Sequence, residues 1–331
     1  MKSIAFVIPY YGKFPLYFEY FLKSCENNAS IEWLIFTDIK TDEIYPSNVH
    51  HIEMTFEELR AYVQNGFDFE ISLDTPYKLC DFKPAYGYIF REYLQNYDFW
   101  GYCDADVIFG DIRKFIPDAY LDEYDKIGHL GHMSIFKNDS ECNMMFMKSP
   151  SYQHILSHKE IFIFDEWGKD NINSTFIENG CNVCFWNEFA DIYPYDDNFR
   201  RVVSKCLNNG ARIICESSIE KATGFGIWKD KRTYYVLNNK KNFMQQEVAY
   251  IHFQKRMMPI RQKQFTDDIL CTPNGFLENN KENYSKELKW VHIHKYFNYK
   301  KFYHIYGAAK YWLIEKSGPI RHGLRRIRRK G

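Results

Sequence analysis

Two carboxylates one residue apart, Asp104 and Asp106, interrupt an apolar stretch at residues 97–112 (YDFWGYCDADVIFGDI). Phe99, Trp100, Tyr102 and Cys103 precede them, and Val107, Ile108 and Phe109 follow. The run before the acids reads as a strand covered on both faces that ends in the two carboxylates. A buried carboxylate without a partner is costly, so the pair is expected to meet a cation or to sit at an opening. Mg²⁺ and Mn²⁺ take carboxylate oxygens and keep positions for phosphate oxygens. A bare D-x-D is short, and solvated acids at a strand end would also produce it. The flanking apolar runs favour a metal and a diphosphate. Two more acids, Asp165 and Glu166, end the run at residues 162–168 (FIFDEWG). A carboxylate in a cleft can act as a general base. Adjacent residues on a strand point to opposite faces, which would leave only one of the two facing substrate.

Residues 100–110 resemble the DxD segment of GT-A nucleotide-sugar glycosyltransferases. With residues 78–84 (KLCDFKP) and 164–168 (FDEWG), they are similar to a poorly characterised group of glycosyltransferases from bacterial surface-polysaccharide clusters. The resemblance covers about residues 1–260 and implies a GT-A fold, a mixed α/β sheet flanked by helices. It implies a nucleoside diphosphate sugar, most simply UDP-linked, as donor. A glycan or lipid-linked oligosaccharide would be the acceptor, and a hexosyl group the one transferred. It also implies roles. Pro9, Tyr10 and Tyr11 would cradle the nucleoside, and Asp38 would meet base or ribose. Asp81 and Lys83 would touch the nucleotide. Asp104, Ala105 and Asp106 would meet the donor, with Asp104, Asp106 and a late His252 holding Mn²⁺ or Mg²⁺. Lys255 would reach the diphosphate. The late segment, residues 246–258 (QEVAYIHFQKRMM), lacks the Gly and Trp of the best-known version of that motif. Asp165 or Glu166 would deprotonate the acceptor hydroxyl if the transfer inverts, with Asp165 preferred because the acid at this place in related folds follows an aromatic run.

The elements that must position these groups can be read in outline. IAFVI at residues 4–8 and WLIFT at residues 33–37 are short apolar runs typical of central parallel strands. Residues 14–25 between them have helical spacing. Strand, helix, strand is a βαβ unit, and ligands bind beyond the carboxyl ends of its strands. Residues 49–52 form a third short strand, and Thr55 or a neighbour caps the next helix. Residues 77–97 read as a helix whose start offers N–H groups to an anion. Residues 124–130 and 248–253 read as strands. Residues 220–242, with Gly224, Gly226 and Trp228, read as an irregular loop able to close over the acceptor. His129, His132 and Asn138 are candidate sugar contacts, although a lone His is more often structural.

The 331 residues suit a catalytic domain at 1–260, with a nucleotide-binding half at 1–110 and a donor and acceptor half at 111–260. A helical, aromatic and basic tail at 261–331 would follow. Formal net charge is zero, yet residues 292–331 hold eleven Lys or Arg against Glu315 alone, leaving the rest of the chain acidic. That end suits an anionic membrane surface better than nucleic acid. Nine Cys in no framework pattern, a lone CxxC at Cys181 and Cys184, and Met1-Lys2-Ser3 leading straight into an apolar run imply reduced thiols and no signal peptide. The expected place is the cytoplasm, peripheral at the inner face of the cell membrane. Two other functions compete. A nucleotidyltransferase would carry a Gly-rich basic loop after the first strand, whereas residues 9–13 (PYYGK) hold one Gly. A non-catalytic sugar-nucleotide or membrane-binding relative would have less reason to keep both acids and the late His.

Overall fold

The computed structural model describes residues 1–286, apart from 193–198, 209–212, 240–241, 255, 263–264, 274, 281 and 284–285. The first strands are β1 (Ile4–Pro9), β2 (Ile31–Thr37), β3 (Val49–Glu53), β4 (Phe99–Cys103) and β5 (Val107–Phe109). Next come β6 (Lys126–Leu130), β7 (Met133–Lys137), β8 (Val183–Cys184), β9 (Asn187–Asp191) and β10 (Phe199–Asn208). The last are β11 (Ile213–Lys229), β12 (Arg232–Asn239), β13 (Asn242–Val248), β14 (Tyr250–His252), β15 (Ile269–Thr272) and β16 (Gly275–Glu278). They form two sheets among the described residues. The first runs β3-β2-β1-β4-β7-β6-β8 and the second β13-β12-β11-β10-β9-β14-β5, with β15 on β11 and β16 on β15. The expected α/β class, a mixed sheet flanked by helices, is the one observed.

In the first sheet β3, β2, β1 and β4 are parallel, and β7 adds antiparallel to β4. β1 is buried on both faces as far as Ile8, and so is all of β4, which is why both read as continuous apolar runs. One apolar layer holds Phe6, Trp33 and Phe109 with helix α1 (Phe18–Glu26); the other holds Trp100, Tyr102 and Phe136. Helix α2 (Phe56–Gln64) starts on a capping box, in which Glu58 N donates to Thr55 Oγ1 and Thr55 N to Glu58 Oε2. Connections from β1 leave to β2 on one side and, later in the chain, to β4 on the other. The crevice outside the carboxyl ends of β1 and β4 is therefore a topological switch point, where open α/β sheets bind ligands.

The strand expected to end in the two acids does so: β4 ends at Cys103, Asp104-Ala105-Asp106 turn, and β5, the apolar run beyond them, joins β14 in the second sheet. Three expectations about elements change. The helix over residues 77–97 is a string of short turns. Pro84 has no N–H for a helical bond, and a Cβ on Gly87 would lie 2.4 Å from the Trp100 indole. Residues 220–242 are not an irregular loop. Most belong to β11 and β12, joined at Asp230 and Lys231, whose φ of 51° and 63° suit a tight two-residue hairpin. Past residue 260, β15 and β16 extend the second sheet, so the chain continues as strands where a helical tail was expected. The basic residues 292–331 lie outside the described residues. No helix among those described is long and apolar enough to cross a membrane.

Candidate metal and nucleotide site

The switch-point crevice opens into a cavity of about 920 Å³. Pro9, Tyr10 and Tyr11 from the end of β1 line it, as do Lys83, Asp104, Ala105, Asp106, Asp165, Glu166 and Arg256. The turn that carries the acids is fixed at both ends. Asp104 N donates to the His132 carbonyl at 3.1 Å, and Phe253 N donates to the Asp106 carbonyl at 2.9 Å. The first bond ties the turn to the first sheet and the second ties it to the second sheet. Asp104 and Asp106 thus stand where the two sheets meet.

β14 brings the third group. His252 pairs with Val107 of β5, which puts its ring beside Asp106, with Nε2 3.6 Å from Oδ1. One ligand atom each from Asp104, Asp106 and His252 lies within 4.8 Å of the others. Two carboxylates and an imidazole form a donor set that suits Mn²⁺ or Mg²⁺, with Mn²⁺ the better match for the imidazole. Burial opposes the imidazolium charge, but Asp106 and Asp191 outweigh it and push His252 up to about 10. The site is therefore already built to hold positive charge. Beneath it, the His132 ring stacks on His252 with centroids 4.1 Å apart, and its Nε2 is 3.0 Å from the Tyr250 hydroxyl.

Lys83 spans the cavity wall. Its Nζ donates to Asp104 Oδ1 and to the Gly131 carbonyl, each at 2.7 Å, and lies 3.7 Å from Asp165 Oδ2. Burial opposes the Lys83 charge, yet Asp104 and Asp165 hold its pKa well above the ordinary lysine value. Asp165 is raised too, but for a carboxyl that favours the neutral form. Its desolvation exceeds the help from Lys83, whose nearer partner is Asp104, and its carboxyl is pushed up to about 7. A carboxylate that titrates near neutrality inside a cleft can exchange a proton with substrate.

Several of the expected site residues lie away from the cavity. Asp81 is fully buried away from the cavity, ion-paired with Lys78 at 2.8 Å, and accepts from Phe162 N and Phe164 N. Lys78 Nζ also donates to the Ile155 and Glu160 carbonyls. The pair pins the loop that delivers Asp165, and Asp81 is not among the residues that line the cavity. Lys78→Met would leave the Asp81 charge buried without its cation, at a cost of about 3–5 kcal/mol. The expected result is a lower denaturation midpoint in urea. Asp38 is exposed at the end of β2 and lines a separate, shallower cavity with Thr41 and His51. Asn138 donates to the Leu94 and Tyr97 carbonyls, and His129 packs against Asn187 and Trp167. These two and His132 serve the fold around the cavity and do not line it.

Asp165 and Glu166 do not follow strand alternation, because residues 164–167 form a turn. Both acids line the cavity and both face Gly131. A Cβ there would lie 2.2 Å from Asp165 Oδ2 and 2.9 Å from Glu166 Oε1, and Glu166 Oε1 accepts from Gly131 N. Ile163, just before them, holds a φ of 55°, a strained conformation for a β-branched residue. Lys255 lies outside the described residues. Its neighbour Arg256 is buried in the cavity wall, with Nε donating to the Pro273 carbonyl at 3.0 Å. Sequence reasoning passed over Arg256 and also Asp191. The signal for Asp191 was present: an acid inside the apolar run at residues 187–192 (NEFADI) is the same cue that marked Asp104 and Asp106.

The galactosyltransferase LgtC, solved with donor and acceptor sugar analogues, is similar over 57% of this chain and 75% of its own, at 13% identity and a TM-score of 0.33. An active-site mutant of LgtC is similar over the same shares at 12% identity and a TM-score of 0.33. No curated protein matches the sequence. One family's sequence model matches residues 6–280, a span that takes in both sheets and all three residues of the metal cluster, and the chain belongs to that family of unknown function, DUF6625.

Proposed function

We propose that the protein is a metal-dependent glycosyltransferase that moves a sugar, a hexosyl group, from a nucleoside diphosphate donor to a glycan or lipid-linked acceptor of a bacterial surface polysaccharide. The observation that carries this reading is the convergence of Asp104, Asp106 and His252 at the switch point between β1 and β4. Open α/β sheets bind nucleotides at that place. A donor set of two carboxylates and one imidazole suits a cation that also takes diphosphate oxygens. When bound, the cation would stabilise the charge that develops on the diphosphate leaving group.

The chain's own residues supply the rest. Tyr10 and Tyr11 line the end of the cavity next to β1, where the nucleoside would lie. Lys83 carries a buried positive charge beside Asp104 and within reach of the departing phosphate. Arg256 adds a second cation to the same wall, in the role that the family resemblance implied for Lys255. Asp165 is the group placed to take the acceptor proton, while Glu166 is engaged with Gly131 N. The UDP-linked donor rests on the family resemblance, so the decisive experiment surveys nucleotides.

Thermal unfolding of the full chain should be followed with UDP, GDP, ADP and CDP, each with and without Mn²⁺. A ligand that binds only the folded state raises the melting temperature by mass action. A rise with UDP that requires Mn²⁺ is expected. A rise with GDP would keep the site and change the donor. No rise with any nucleotide would make Asp104 and Asp106 a structural pair and would sink the transferase reading.

A further inference from the structure

Asp191 ends β9 as a buried carboxylate, 3% exposed. β9 runs parallel to β14 in a register that sets Asp191 directly beside His252. His252 Nδ1 lies 3.1 Å from Asp191 Oδ1, while the ring's other nitrogen, Nε2, faces Asp106. A carboxylate only accepts, so the proton on this bond belongs to Nδ1. Two other side chains hold the carboxylate in place. Arg200 donates to Oδ2 from Nε at 3.1 Å and from Nη2 at 2.8 Å. Gln254 Nε2 donates to both oxygens, at 3.0 and 2.8 Å. Gln254 does so from a backbone φ of 46°, a left-handed conformation uncommon outside glycine. The turn after β14 is thus bent back onto Asp191.

We propose that Asp191 is a positioning residue that fixes the His252 imidazole with Nε2 presented to a divalent cation held by Asp104, Asp106 and His252. The inference rests on the metal site of the preceding section. Metal-ligating imidazoles donate their second N–H to a carboxylate or carbonyl, which sets the tautomer and orients the ring. A carboxylate kept only for the fold would be satisfied by Arg200 and Gln254. The bond to Nδ1, aimed opposite to Asp106, is what the metal role requires. Arg200 balances the Asp191 charge, so the carboxylate can sit beside the site without competing for the cation. Asp191 touches neither nucleotide nor sugar in this arrangement. It acts through His252.

Mn²⁺ binding to the full-length protein tests this, read as the loss of the free-ion electron paramagnetic resonance signal, with Mn²⁺ alone and with UDP. Asp191→Ala is expected to weaken Mn²⁺ binding by about 10- to 100-fold. Asp191→Asn keeps the volume and an acceptor oxygen, so it covers the case in which the alanine variant fails to fold; a smaller loss in the same direction is expected. Asp191→Glu should recover part of the affinity if the carboxylate is what matters. A folded Asp191→Ala, or a folded Asp191→Asn where the alanine variant does not fold, that binds Mn²⁺ within twofold of wild type would overturn the positioning role and leave the metal site standing. A wild-type chain that binds no Mn²⁺ in either condition would overturn the metal site, and the positioning role with it.

Discussion

Asp106→Ala is expected to abolish the Mn²⁺-dependent stabilisation by nucleotide and to lower sugar transfer by a factor of about 10²–10³ or more. Asp106 is the acid that faces His252, so its loss opens the cluster on the side where imidazole and carboxylate meet. The fold should survive. The bond that ties this turn to the second sheet uses the Asp106 carbonyl and the Phe253 N–H, and alanine keeps both. Far-ultraviolet circular dichroism and a cooperative melt without ligand would establish that the variant is folded. Asp104→Ala should give the same loss for a different local reason. It removes a ligand and also the nearest anion of Lys83, at 2.7 Å. Lys83 would then turn toward Asp165, its other partner. Wild-type transfer by either folded variant would dismiss the metal assignment.

Asp165→Asn is expected to lower transfer by about 10²–10⁴, the usual contribution of a positioned base. It should also change how stability depends on pH, and the sign follows from linkage. The Asp165 carboxyl is pushed up to about 7 in the fold by burial, against an ordinary value of 3.8. Between those values the folded chain holds a proton that the unfolded chain has released. Wild-type stability should therefore fall as pH rises from about 4 to about 7, by up to about 1.4 kcal/mol per pH unit from this group. Above pH 7 no further loss from Asp165 is expected. The Asn variant lacks this slope, so it should be more stable relative to wild type at pH 8 than at pH 4. A more stable and inactive variant is the pattern of a site strained for function. The rate of wild-type transfer should rise with pH through an apparent pKa near 7. A variant with full activity, or an unaltered slope of stability against pH between 4 and 7, would remove Asp165 from the proton-transfer role.

Much of the first sheet was legible in residue order, because its signals are local. β1 and β2 are runs of buried apolar residues in the chain and in space alike. The capping box at Thr55 and Glu58 spans four residues and needs no tertiary partner to be recognised. Asp104 and Asp106 stood out because acids inside an aromatic run demand a cation. His252 followed from its place near the end of a late strand, through the family resemblance.

Other parts depended on where remote segments meet. Asp81 has the residue type and the neighbours of a nucleotide contact. Burial at 0% exposure, and backbone N–H groups some eighty positions away at Phe162 and Phe164, make it a pin for a loop. Asp165 and Glu166 read as alternating on a strand. Turns around the left-handed Ile163 place both against Gly131 instead. Arg256 reaches the cavity because its guanidinium is held by the carbonyl of Pro273, seventeen residues on. Residue order thus carried the strands, the capped helix and the identity of the metal-binding types, all set by local pattern and by the expense of burying charge. Tertiary packing selected which acids face the cavity and which lock the fold. That choice turns on long-range partners for each buried carboxylate, and such partners have no signature in the spacing of neighbouring residues.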